Sequence, residues 1–187
     1  MAADFTSLLV GYVVGGVASS VSLAIDGDRV VVVDPGMVAQ RGLLSGAVAA
    51  AGFSTSEVTD VVVTHLHLDH TMNVALFDRA VVHDFMASYH DDIWENHPID
   101  RFELSPSIYA LATPGHTRED ISIFVETEEG LVVCSHLWWS KKGPLQDPYS
   151  FDHQVLEASR ARVLGMDPYL IVPGHGEPFL ADELDLA

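Results

Sequence analysis

Residues 64–70 read Thr-His-Leu-His-Leu-Asp-His, so four side chains able to ligate a metal fall within six positions. They follow Asp60-Val61-Val62-Val63, a short apolar run of the kind expected for a strand covered on both faces. His65 and His67 are two apart and point the same way on extended backbone. Asp69 and His70 fall where a helix is expected to begin, which redirects them. Imidazole nitrogen and carboxylate oxygen are the ligand types that zinc and related divalent ions take. Three imidazoles beside an apolar strand are costly to bury unliganded, which weighs against a polar loop that merely contains histidines.

Two more histidines sit on matching turns. Pro114-Gly115-His116 follows the strand-like run 108–111, and Pro173-Gly174-His175 follows the run 169–172. Glycine lets backbone crowd close to a site, and a strand end fixes the imidazole beside it. Either alone reads as a turn histidine; together with the first cluster they read as ligands.

The rest of the chain is strand-rich with helices inserted. Asp26-Gly27-Asp28 between the β-branched runs 21–25 and 29–33 is a hairpin signal, and Asp34-Pro35-Gly36 stops the second run. Leu43, Leu44, Ala47, Val48 and Ala51 predict a helix over 38–51. Ser54 to Glu57 offers a short capped helix. Runs 80–82, 121–126 and 131–135 read as further strands, and 151–166 as a helix. Residues 5–25 carry no charged side chain, but their serines, Thr6, Tyr12 and glycines, and the lack of a basic flank, favour two buried strands over an anchor or leader. The expectation is one α/β domain over residues 1–187, soluble and cytoplasmic, with helices packed outside sheet layers.

Composition narrows the partners. Nine Lys plus Arg against 27 Asp plus Glu leave a net charge of −18, which repels phosphate backbones and makes nucleic acid an unfavoured partner. The single cysteine, Cys134, excludes an internal disulfide. No Gly-x-Ser-x-Gly elbow and no phosphate-cradling glycine-rich loop occurs. The expected partner is a small-molecule substrate, with no membrane association and with homo-oligomerisation left open.

With these motifs in place, the chain resembles the metallo-β-lactamase superfamily, which includes glyoxalase II, lactonases, persulfide dioxygenases and metal-dependent nucleases. Asp34-Pro35-Gly36 resembles its first motif, His65, His67, Asp69 and His70 its second, His116 its third and His175 its fifth. The resemblance implies a four-layer αββα sandwich with a metal site at one edge. His65, His67 and His116 would hold one ion and Asp69, His70 and His175 another, with Asp34 bracing the ligands from behind.

Position 136 departs from that pattern. The fourth motif is an Asp that bridges both ions, at the end of the strand that here reads Leu131-Val132-Val133-Cys134-Ser135. His136 follows it, and the first acid after it is Asp147. A carboxylate gives one oxygen to each ion and removes a unit of their repulsion, whereas neutral imidazole has one free lone pair and removes none. His136 therefore either ligates one ion or stands aside.

The resemblance implies hydrolysis of an ester, thioester, lactone or amide by metal-activated water, with Asp69 orienting that water or relaying its proton. The divalent metal is one or two ions, zinc first, with iron or manganese as alternatives. One carboxylate fewer and one imidazole more would also suit a single-iron or single-manganese oxygen-dependent enzyme. A metal-binding protein without catalysis is the third reading. Trp138, Trp139 and His83 are candidates to line a substrate pocket; Trp94 and Tyr89 read as core, and His90, His97 and His153 as surface or core.

Overall fold

The computed structural model describes residues 2–184. Strands β1 (Asp4–Leu9), β2 (Val21–Asp26), β3 (Arg29–Val33), β4 (Asp60–Val62), β5 (Val81–His83), β6 (Ala87–His90) and β7 (Ile93–Asn96) form one sheet in sequential order. A second sheet runs, again sequentially, through β8 (Arg101–Ser105), β9 (Ile108–Ala112), β10 (Ile121–Glu126), β11 (Leu131–Ser135), β12 (Leu170–Pro173) and β13 (Phe179–Leu180). The helices are α1 (Arg41–Ala50), the single turn α2 (Leu68–Thr71) and α3 (His153–Leu164).

Alternation along each strand builds the layers. Val31 and Val33 of β3 meet Ile121, Ile123 and Val125 of β10 in the core between the sheets. Val30 and Val32 face the opposite way, toward Leu44 and Val48 of α1. On the second sheet Phe124 and Val133 turn outward to Leu156 and Val163 of α3. Each such side chain contributes roughly 1.5–3 kcal/mol on burial, and a strand apolar on both faces suits only a covered sheet. The result is the expected αββα sandwich.

The residues 5–25 form β1, β2 and their connection, and β2 turns into β3 through Gly27-Asp28, with Asp26 paired to Arg29. Among the described residues no helix is long and apolar enough to cross a membrane. Ser54 and Glu57 cap a 3-10 turn, Glu57 Oε2 accepting from Ser54 N at 2.8 Å. The helix predicted over 38–51 begins later, at Arg41. The residues before it are held by the neighbouring loop instead: Met37 N donates to Asp69 O at 3.1 Å, and Asn73 Nδ2 donates to Gly36 O. Strands β6, β7 and β8 have no counterpart in the sequence reading. Every residue of β7 is exposed and its hairpin turns on Asp91 at φ 53°, so no apolar alternation marks it.

Strand direction collects the histidine-bearing turns along one edge. β3 and β4 are parallel, as are β11 and β12, while β10 runs antiparallel to both β9 and β11. The ends of β3, β4, β9, β11 and β12 therefore open on the same side, and Ile121 N donates to Thr64 O at 3.0 Å to join the two sheets there.

Cys134 lies in the core between the sheets, where burial pushes its thiol up to about 12. The native protein should therefore show no reaction with an aromatic disulfide reagent at pH 8 until denaturant is added. Reaction of the folded protein at a free-thiol rate would contradict this packing.

Candidate metal centre

Register places each histidine. Asp34 N continues the β3–β4 ladder by donating to Val62 O at 2.9 Å, so Asp34 stands beside Thr64. There Asp34 Oδ1 accepts from Thr64 N and Oδ2 from Thr64 Oγ1, both at 2.7 Å. These bonds pull Thr64 out of the strand, which ends at Val62, and aim His65 off its end. Asp34 holds φ 51°, and Gly36 beyond it lies so close to Asp69 O that a Cβ there would clash with backbone. Along β11 and β12, Ser135 pairs with Pro173, which sets His136 against Gly174 and His175. A Cβ on Gly174 would meet the His136 ring. The other Pro-Gly-His glycine, Gly115, is crowded instead by Leu156 of α3.

Four of the imidazoles have one nitrogen tied to an acceptor. His70 Nδ1 donates to Asp34 Oδ2 at 2.8 Å, His116 Nδ1 to Asp147 Oδ2 at 2.6 Å and His175 Nδ1 to Ala18 O at 2.8 Å. Thr64 Oγ1 spends its proton on Asp34, so at 3.2 Å it accepts from His65 Nδ1. Each ring thus presents an Nε2 lone pair inward. His65 Nε2 and His116 Nε2 both stand 3.1 Å from His67 Nδ1, which has at most one proton to share between them. Asp69 Oδ2 lies 3.5 Å from both His70 Nε2 and His175 Nε2. His136 Nε2 stands 3.1 Å from His175 Nε2.

These groups fit a divalent cation. His70 Nε2 and His136 Nδ1 are buried with no hydrogen-bond partner among the described residues. Burial, followed by the neighbouring His70 and His116, holds His65 well below the usual imidazole range. Burial and the charges of His65 and His70 do the same to His136. Burial also lowers His67 and His175, although Asp69 opposes the shift in the first and the Ala18 carbonyl in the second. Neutral imidazoles so crowded hold fewer protons than the facing lone pairs need, and a cation in each group takes up the lone pairs left over.

The six residues expected as ligands are brought together, and His136 lies between their two groups. Its donor atoms come within 4.8 Å of those of His65 and His116, and also within 4.8 Å of those of His70 and His175. The expectation of one ion in reach thus meets a ring that borders both positions.

A cavity of about 420 Å³ opens over the cluster, lined by His67, Asp69, His116, His136, His175, Val13, Val17, Trp139 and Tyr149. Trp139 and Tyr149 stack at 5.7 Å and 10°. Trp138 is not in this wall: past the end of β11 it follows Leu137 into the core beside Leu156 and borders a separate cavity under α3. His83 is not in it either. It is buried on β5, bonded to Asp60 at 2.9 Å and Ser88 at 2.8 Å and stacked on Phe102. Tyr149, Val13 and Val17 went unnoticed in the sequence, and so did the role of Asp147. For Asp147 the one signal was its place as the first acid after His136.

The fold and this edge define a metallo-β-lactamase-type centre, and the chain belongs to that superfamily. The sequence profile of the Metallo-beta-lactamase superfamily matches residues 14–103. Metallo-beta-lactamase domain-containing protein 1 of Xenopus laevis is 35% identical over 168 residues, covering 83% of this chain and 70% of its own. The Homo sapiens protein of that name is 37% identical over 161 residues, covering 80% of this chain and 59% of its own. Among solved structures, a metallo-beta-lactamase family protein from Thermus thermophilus superposes with a TM-score of 0.71 at 19% identity, covering 96% of this chain and 75% of that one. An N-acyl homoserine lactone hydrolase with its product bound at the catalytic metal center superposes at 0.64 with 21% identity, covering 83% and 80%.

Asp34 braces both groups at once, His70 directly and His65 through Thr64. Asp34→Ala should weaken metal affinity by about 10–100-fold and lower stability by roughly 1–3 kcal/mol for each donor left unpaired. Metal titration and chemical denaturation of the variant check both, and wild-type values in both would remove Asp34 from this role.

Proposed function

We propose that the chain is a metal-dependent hydrolase acting on a small-molecule ester, thioester, lactone or amide. The observation that carries this reading is the convergence of His65 Nε2 and His116 Nε2 on His67 Nδ1, each at 3.1 Å, at the floor of an open cavity. His65, His67 and His116 would hold one ion, and Asp69, His70 and His175 a second, with His136 between them. A divalent ion there supplies Lewis acidity, polarising a carbonyl oxygen and acidifying water beside it. Zinc suits a site of imidazole nitrogens with one carboxylate.

The chain's own residues supply the remainder. Asp69 orients the attacking water: its Oδ2 faces His70 and His175, which leaves Oδ1 to take up the proton. Asp34 and Asp147 fix the tautomers of His70 and His116, so each presents its Nε2 lone pair before substrate arrives. Val13, Val17 and the Trp139–Tyr149 stack receive the apolar part of the substrate and displace water. A cavity of about 420 Å³ matches a small molecule.

A second reading follows from His136. An imidazole where the superfamily carries a bridging carboxylate suits a single Fe(II) or Mn(II) and an oxygen-dependent reaction. Elemental analysis of protein purified without chelators, combined with assays on an ester, a thioester, a lactone and an amide, separates these readings. Zinc with hydrolysis of at least one substrate is expected. His67→Ala should then lose more activity than the roughly 10–100-fold typical of an outer-shell change. Iron or manganese with oxygen consumption and no hydrolysis would favour the second reading. Tight metal without turnover would leave a binding protein.

A further inference from the structure

His116 differs from the other nitrogen ligands of its group in what stands behind it. His65 Nδ1 rests on a hydroxyl, and His67 turns its own Nδ1 inward, whereas His116 Nδ1 rests on the Asp147 carboxylate at 2.6 Å. Asp147 is only 1% exposed. Its Oδ2 also accepts from Trp139 Nε1 at 2.9 Å, and its Oδ1 accepts from Tyr149 N at 2.8 Å. No lysine or arginine pairs with it among the described residues. A carboxylate so placed is expensive unless positive charge is delivered nearby, and the route open is through the His116 ring.

The deficit at position 136 identifies that charge. A motif-four carboxylate would sit between the cations, and His136 brings none. We propose that Asp147 is a positioning residue that supplies, one imidazole behind the metal, the negative charge that position 136 does not supply between the ions. The proposal rests on the reading that His65, His67 and His116 hold an ion. Through the ring, the carboxylate locks the tautomer with Nε2 free and raises the basicity of that lone pair. The same carboxylate grips Trp139 and the backbone of Tyr149, so the segment that supplies the charge also builds the aromatic wall.

Zinc titration of stripped protein, in competition with a chromophoric chelator, tests this in wild type, Asp147→Asn, Asp147→Ser and His116→Ala, with thermal unfolding of every stripped form. Asp147→Asn keeps an oxygen to accept from His116 Nδ1 but carries no charge, and Asp147→Ser leaves room for water if the amide does not fold. Zinc affinity should fall about 10–100-fold in the charge-free variants. The stripped variants should remain folded but melt below the wild-type temperature, because each change leaves donors that Asp147 satisfied short of an acceptor. A purely structural Asp147 lowers the melting temperature of the stripped protein in the same way but leaves zinc affinity unchanged. Affinity within about twofold of wild type, or a loss of affinity matched by loss of the stripped fold in both variants, overturns the proposal. His116→Ala binding zinc as tightly as wild type would instead overturn the ligand reading, so the two failures are distinct.

Discussion

Imidazole lone pairs aimed at one another, all but those of His67 buried, are the constraint around which the rest of this structure is arranged. Lone pairs at about 3 Å repel unless a proton or a cation stands between them. The fold holds four of these rings in position from behind. Asp34 holds His70 directly and His65 through Thr64, the Ala18 carbonyl holds His175, and Asp147 holds His116. Gly36 and Gly174 yield the space in which the Asp69 backbone and the His136 ring can lie. Parallel pairing of β3 with β4 and of β11 with β12 brings the carrying turns to one edge.

Charge decides how this centre differs from its superfamily. The donors facing the first position, His65, His67 and His116, are neutral nitrogens, and the second position has one facing carboxylate, Asp69. The other carboxylates of the site, Asp34 and Asp147, stand one imidazole further back. An anion at that distance stabilises a bound cation less than one between two cations, since Coulomb energy falls with separation. On the proposed ligand set, affinity for one ion would thereby be kept while the mutual repulsion of two would be left largely uncompensated.

Much of this was legible in the sequence because it is local. Histidines two residues apart at a strand end, Asp-Pro-Gly after a valine run and two Pro-Gly-His turns need only short-range pattern, and their residues converge as the superfamily pattern implies. Tertiary pairings were not legible. Asp147 lies 31 residues from His116, on a segment without regular structure, and nothing in its neighbours marks it as a partner. Val13 and Val17 read as part of a buried apolar run, yet they border the cavity. Trp138 and Trp139 are adjacent and chemically identical, and only the side each faces separates a core residue from a pocket wall. Strand β7 has no buried face and so no pattern to read.

The central claim is that histidine at position 136 leaves the centre asymmetric, with one tightly held ion and one labile ion. Calorimetric titration of zinc into stripped wild type and His136→Asp tests this most directly. The account predicts one tight and one weak binding event in the wild type, and a second event strengthened by about tenfold or more in the variant, which is about 1.4 kcal/mol or more. Two equally tight ions in the wild type, unchanged by the substitution, would contradict it.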